Sequence, residues 1–262
     1  MVGTGPGHLT VPAAAVADQL PGWATLVRAA NPGPMTLDGT NTWVLRAPGG
    51  ERVVVVDPGP ADEPHLRAVA AHGPVAAVFV THGHEDHVGG LSRFRELTGA
   101  AVMTASGGYD GLEITAIPTP GHTADSVCFE VAAGGERAIL TGDTILGRGT
   151  TVVAWPDGDL GDYLASLARL SSYDGIPALP GHGPALADCA AAARYYLAHR
   201  HARLDQVRAV VAAGAVTPAQ VVERVYADVD RALWPAAELS VRAQLEYLGR
   251  ESSPPADRLD QP

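Results

Sequence analysis

A chain of 262 residues, 46% hydrophobic and 18% charged, can bury the core of one large domain, or of a large domain with a small appendage. Its 18 cations are all arginines, set against 29 acidic residues, and the formal net charge of −11 argues against non-specific attraction to phosphate backbones or anionic membranes. The acidity is concentrated in residues 1–184; residues 185–250 are close to neutral and contain no basic patch.

In chain order, residues 42–46 and 52–57 predict a hairpin, with Pro48-Gly49-Gly50 as its turn. Residues 63–71 predict a helix, and the apolar run 75–81 predicts a buried strand. A helix at 91–97 precedes strand-like runs at 101–104, 113–118, 126–131 and 138–141. A helix at 160–170 and a last strand at 176–179 complete a mixed α/β unit. Beyond Pro184 only helical patterns remain, at 185–197, 201–213, 218–226 and 235–248. Thr217-Pro218 supplies a capping hydroxyl and a first-turn proline for the third of these. The expected organisation is therefore an α/β domain over residues 1–203, a helical module over 204–250 and a polar, disordered tail over 251–262.

Cys128, in the run Val127-Cys128-Phe129, and Cys189, in an alanine-rich helix, form no C-x-x-C pair and are expected to be core thiols. Residues 1–20 lack the basic and apolar regions of a signal peptide, and no apolar run approaches a membrane span, so a cytoplasmic location is expected.

The chemistry concentrates in Thr81-His82-Gly83-His84-Glu85-Asp86-His87, which follows the predicted buried strand. Loops at strand ends are where α/β proteins place their sites. In extended chain, residues two apart point to one side, so His82 and His84 can grip one ion together. Asp86 and His87, at the turn into the next helix, can reach a neighbouring position. Three further residues of ligand type each follow a glycine at the end of a strand-like run or extended segment: His122 in Gly121-His122-Thr123, Asp143 in Thr141-Gly142-Asp143, and His182 in Gly181-His182-Gly183. Parallel placement of these segments would bring all seven side chains to one edge. His65, His72, His199 and His201 have no such company and are expected on the surface.

The pattern H-x-H-x-D-H followed by Gly-His-Thr, Gly-Asp and Gly-His-Gly resembles the metallo-β-lactamase superfamily in order and spacing. The resemblance implies a four-layer αββα sandwich with a dinuclear site. Carried over residue by residue, it implies that His82, His84 and His122 hold one ion, that Asp86, His87 and His182 hold the second, and that Asp143 bridges them. Imidazole and carboxylate ligands suit zinc, so two Zn2+ per chain are expected, with a hydroxide available near neutral pH. Asp86 is the candidate for proton handling, and Glu85 is expected to be a solvated loop residue or a partner to a ligand.

Residues 31–43 (Asn31-Pro32-Gly33 through Asn41-Thr42-Trp43) and 142–152 (Gly142-Asp143-Thr144 through Thr151-Val152) resemble the lactamase-beta-2-like group, whose members carry a winged-helix-like C-terminal module. Members of that group include an endoribonuclease acting on single-stranded RNA and thioesterases that release polyketides from carrier proteins. Gly83 and Glu85 depart from the animal members, which have a bulky aromatic and a basic residue there. An acidic side chain beside the metals, with the overall acidity, weighs against RNA. The expected reaction is hydrolysis of an ester or thioester of a small molecule or acyl carrier, with RNA cleavage as the alternative and a non-catalytic nucleic-acid-binding or scaffold role as a third reading. Arg148 is a candidate contact for an anionic substrate, and Asn41 for the floor of the site. In the C-terminal module Arg224, Arg231, Arg242 and Arg250 are interspersed with acidic residues, so no DNA partner is expected and packing or dimerisation is the role assigned. The sequence leaves the oligomeric state open.

Overall fold

The computed structural model describes residues 12–252. The start of the leader reading (residues 1–11) and most of the tail reading (253–262) lie outside the described residues. Glu251 and Ser252, assigned to the tail, instead complete the last helix.

Two sheets carry the α/β part. In the first, β1 (Ala24–Arg28), β2 (Asn41–Leu45), β3 (Val53–Val56) and β4 (Val75–Phe79) lie in sequence order. In the second, β5 (Gly107–Tyr109), β6 (Leu112–Pro118), β7 (Val127–Ala133), β8 (Glu136–Gly142) and β9 (Ala178–Pro180) do the same. The strand period of two decides how the sheets face one another. In β3, Val54 and Val56 point into the space between the sheets, where they meet Trp43, Phe79, Phe129 and Leu140. Val53 and Val55 point the other way, into a layer shared with Leu66 and Val69 of α1 (Glu63–Ala70) and Phe94 of α3 (Leu91–Thr98). The short α2 (Glu85–Val88) lies between these two helices in sequence. Cys128 and Ile139 of the second sheet face outward against Tyr163 and Leu167 of α4 (Leu160–Leu170) and Cys189 and Tyr196 of α5 (Cys189–Ala212). The result is the expected four layers, αββα. Both cysteines are free and fully buried, as core thiols should be, and burial pushes the Cys128 thiol up to about 11.

Beyond α5 the chain forms α6 (Pro218–Val225), started by a capping box between Thr217 and Gln220, and α7 (Trp234–Ser252). Val207, Val221, Val222, Val225 and Val241 make a separate apolar cluster for this helical module. Among the described residues, no helix is long and apolar enough to cross a membrane.

The hairpin of β2 and β3 pairs antiparallel as its turn predicts. Several expectations fail: β5 at residues 107–109 is a strand absent from the sequence reading, and the helix expected from 185 starts at Cys189. Residues 24–28 form a strand that the sequence reading left out, paired antiparallel with β2. Residues 101–104 make only a single bridge, Val78 to Val102, in place of a strand. Residues 198–200, read as a gap between two helices, continue α5 without a break. The expected boundary at 203/204 therefore falls inside a helix whose first half packs on the second sheet and whose last turns pack in the C-terminal module.

β3 pairs parallel with β4, and β8 parallel with β9, so the C-terminal ends of all four strands reach the same edge of the sandwich. There the sheets are tied together: the backbone N–H of Val127 donates to Thr81 O at 2.8 Å, and that of Asn41 to Gly181 O at 2.7 Å.

Candidate metal centre

The seven predicted ligand residues converge at this edge. His82 and His84 follow β4, Asp86 and His87 lie in α2, His122 follows β6, Asp143 follows β8 and His182 follows β9. Ligand atoms of His82, His84 and His122 lie within 4.8 Å of one another, as do those of Asp86, His87 and His182, and a third such group joins His82 and His87 to Asp143.

Hydrogen bonds fix which ring nitrogen faces inward. Thr81 donates its hydroxyl to Asp57 Oδ2 at 2.7 Å, so the Thr81 oxygen is left to accept from His82 Nδ1 at 3.0 Å. His87 Nδ1 donates to Asp57 Oδ2 at 2.8 Å, His122 Nδ1 to Val152 O at 2.6 Å and His182 Nδ1 to Gly39 O at 3.3 Å. Each of these four rings thus turns its Nε2 toward the cluster, and an oxygen behind it holds the tautomer. His84 presents Nδ1, which stands 3.0 Å from His82 Nε2 and 3.1 Å from His122 Nε2.

This arrangement fits metal ions better than protons. With Nδ1 donating behind each ring, His82 and His122 both aim a lone pair at His84 Nδ1, and one proton there can satisfy only one of them at a time. A tetrahedral ion with ligand bonds of about 2.0–2.1 Å holds its ligands about 3.3 Å apart, close to the spacing found. Asp143 spans the two triads: Oδ1 is 3.5 Å from His87 Nε2, and Oδ2 is 3.4 Å from His182 Nε2 and 3.9 Å from His122 Nε2. Its Oδ1 is buried without a hydrogen-bond partner, an expensive omission unless a cation is its partner. Gly181 makes room for this carboxylate, because a Cβ there would stand 2.6 Å from Asp143 Oδ1 and 2.7 Å from His87 Cε1.

Burial and mutual charge act on each member of the cluster. Burial pushes His82 down to about 2 and lowers His122. Burial works against the charged forms of His87 and His182 as well, but Asp143 outweighs it, raising His87 and lifting His182 to about 10. Burial would raise Asp86, yet the hydrogen bond from His182 and the charge of His87 bring it to about 2. Asp143 is held well below the usual carboxylate range, its burial outweighed by His182 and His87. Ions entering here would displace protons from His87 and His182 and meet carboxylates already ionised.

The metallo-beta-lactamase superfamily profile matches residues 35–110 and 105–182. The chain belongs to the metallo-beta-lactamase superfamily. Residues 217–252 match the beta-lactamase associated winged helix domain, which contains α6 and α7. A Caenorhabditis elegans protein named beta-lactamase-like protein 2 homolog is 32% identical over 253 residues, 84% of this chain and 82% of its own. A protein of Aspergillus fumigatus named atrochrysone carboxyl ACP thioesterase is 32% identical over 231 residues, 75% and 71% of the two chains. Among solved structures, a metallo-beta-lactamase family protein from Thermus thermophilus shares the fold with a TM-score of 0.74 at 21% identity, covering 89% of this chain and 95% of its own.

Other residues of this metallo-beta-lactamase superfamily chain sit differently from expectation. Asn41, expected on the floor of the site, is fully buried and donates its amide to Pro180 O at 2.9 Å and Gly183 O at 2.8 Å. It fastens the loop that carries His182 and takes no part in the cleft wall. Arg148 does line the cleft beside the cluster, but its guanidinium forks onto Asp38 at 2.5 and 2.7 Å. Glu85 is exposed at the start of α2, as a solvated residue would be. His72 and His201 are exposed as expected, whereas His65 is buried, its Nε2 2.9 Å from Thr42 Oγ1, and His199 is half-buried in the cleft wall. Sequence reasoning missed Asp57 altogether. It is 2% exposed, sits at φ 55 just past β3, and supports a ring of each triad. The signal available was an aspartate closing an all-valine strand before Pro58-Gly59-Pro60.

Proposed function

We propose that the chain holds two zinc ions and hydrolyses an ester or thioester of a small molecule or of an acyl group on a carrier. The observation that carries this reading is the pair of three-residue clusters sharing one buried carboxylate, Asp143, which with His122 lines a largely apolar cleft. His82, His84 and His122 would hold one ion, and Asp86, His87 and His182 the other. When bound, such ions supply Lewis acidity that lowers the pKa of a water to about 7 and polarises a carbonyl. The chain's own contribution is to orient. Asp57, Thr81 and the carbonyls of Val152 and Gly39 lock the rings, so the nitrogens do not reorganise as charge develops. Asp86, held ionised by His182 and His87, would orient a water proton, the role we assign it in proton handling.

The thioesterase name of the Aspergillus relative supports an acyl substrate, and the cleft supports it chemically. Leu37, Leu146, Val152 and Leu233 on its walls suit a hydrocarbon body better than a phosphodiester backbone. In the C-terminal module, Arg242 pairs with Glu238, Arg250 with Asp159 and Glu246, and Arg231 stacks on Trp234. Such pairing leaves little cationic surface for nucleic acid. Purified protein is expected to hydrolyse acyl thioesters of N-acetylcysteamine, followed by thiol release. Cleavage of single-stranded RNA that Asp86→Ala abolishes, with no thioester turned over, would replace this reading by the ribonuclease one.

A further inference from the structure

His122 differs from the other ring ligands in what stands behind it. The oxygens that hold His82, His87 and His182 belong to Thr81, Asp57 and Gly39, all in the first sheet or the loops beside it. His122 is held instead by residues 143–159, which join β8 to α4 and form neither helix nor strand. Its Nδ1 donates to Val152 O at 2.6 Å, with Thr151 Oγ1 3.3 Å away, and its own carbonyl accepts the Ala154 N–H at 3.0 Å. A segment with no ladder of its own takes its shape from the groups that satisfy its backbone.

Those groups come largely from α7. The Val153 N–H donates to Ser240 Oγ at 3.3 Å, Trp155 Nε1 to Glu246 Oε2 at 2.8 Å, and Arg250 Nη1 to Asp159 Oδ2 at 2.6 Å. Segment and helix therefore run side by side in one direction. Ser240, Ala243, Glu246 and Arg250 recur every three or four residues, which places them on one face of α7. Val153 and Ala243 belong to one buried apolar cluster, and the Arg242 guanidinium lies 5.4 Å from the centre of the Trp155 ring. From the other side, Arg200 of α5 donates to the Thr151 carbonyl. Ala237 and Val241 of the same α7 pack with α6 in the cluster of the C-terminal module.

The decisive contact is made at a single peptide unit. Val152 O and the Val153 N–H are the two ends of one planar, trans group, so they point in opposite directions and turn only together. One end accepts from His122 Nδ1 and the other donates to Ser240 Oγ. All three residues at these ends are buried, His122 at 3%, Val153 at 1% and Ser240 at 5% exposure. Without the Ser240 hydroxyl the buried N–H loses its partner, and a peptide that turns to find another carries its carbonyl away from His122.

We propose that Ser240 is a positioning residue for the metal centre, through which the C-terminal helices hold His122, and with it the triad of His82, His84 and His122, in ligand geometry. The inference rests on the two-ion reading above and gives the C-terminal module a role in the centre beyond packing. Its effect falls on one ion, because the rings of the other triad, His87 and His182, are held by Asp57 and Gly39.

The test uses the full-length protein loaded with zinc and competed against a chromophoric chelator. Ser240→Ala is expected to weaken one of the two zinc equivalents about three- to tenfold, the size of one hydrogen bond, and to leave the other unchanged. Ser240→Thr, which keeps the hydroxyl, is expected to restore the affinity. In proton NMR of Ser240→Ala, the His122 Nδ1–H should exchange with solvent faster than in the unsubstituted protein, and the His87 Nδ1–H should not. Unchanged zinc affinity in Ser240→Ala, or an equal loss at both equivalents, overturns this inference while keeping the two-ion reading. An unsubstituted protein that takes up no zinc overturns both. A last measurement needs no variant. Coupling is reciprocal, so zinc should slow solvent exchange of the Val153 amide by a similar factor, and should leave that of Gln220, in the α6 capping box, unaltered. A Val153 amide indifferent to zinc contradicts the proposal.

Discussion

Asp143→Ala should lower kcat/KM for thioester hydrolysis by roughly a thousandfold or more, about 4 kcal/mol of transition-state stabilisation. Asp143 approaches both halves of the cluster, His87 and His182 of one triad and His122 of the other. Its removal would leave the two triads without a shared anion and leave His87 and His182 without the charge that raises them. Folding should survive, because the apolar layers on either side of each sheet do not pass through this residue. Steady-state kinetics together with a thermal melt make the check. A variant that keeps activity within tenfold would remove Asp143 from the centre of the chemistry.

Asp57→Asn should weaken metal binding about 10–100-fold and destabilise the fold by about 1–3 kcal/mol, although Asp57 belongs to neither ligand triad. Its Oδ1 accepts the Thr81 backbone N–H at 2.8 Å, and its Oδ2 accepts both the Thr81 hydroxyl at 2.7 Å and His87 Nδ1 at 2.8 Å. An asparagine must put its NH2 at one of those two positions. Flipping the amide only chooses whether donors clash at the backbone of Thr81 or at its hydroxyl and His87. Either choice loosens His87 directly, or His82 through Thr81. Competition against a chromophoric chelator measures the affinity, and denaturant melts measure the stability. Unchanged metal affinity would show that the rings are oriented by something else.

The contrast between these two aspartates shows what was legible in the sequence. Asp143 could be found because a glycine precedes it at the end of an apolar run, and because His82, His84, Asp86 and His87 already announce a ligand cluster. Asp57 looks like any strand-ending residue. Its importance comes from β3 lying parallel beside β4, a pairing between distant segments that no local spacing reveals. The layers were legible from strand runs and amphipathic helices, but β1 was not, since Ala24–Arg28 is short and its burial is uneven. The expected break inside α5 falls at residues 198–200, through which the helix continues. In the fold His199 and Arg200 turn inward and become cleft wall, while Ala198 and His201 stay exposed. Polar composition predicts exposure only where nothing packs against it, and here the C-terminal helices do. Asn41 erred in the same way: near the site in space, its amide is consumed by the loop of His182.

Membership of the metallo-beta-lactamase superfamily and the convergence of seven ligand-type side chains point to one quantity above all others. Elemental analysis of the full-length protein, purified without chelators, should find about two equivalents of transition metal per chain, with zinc foremost. A folded protein that retains none after incubation with zinc, iron or manganese salts would contradict the account at its root.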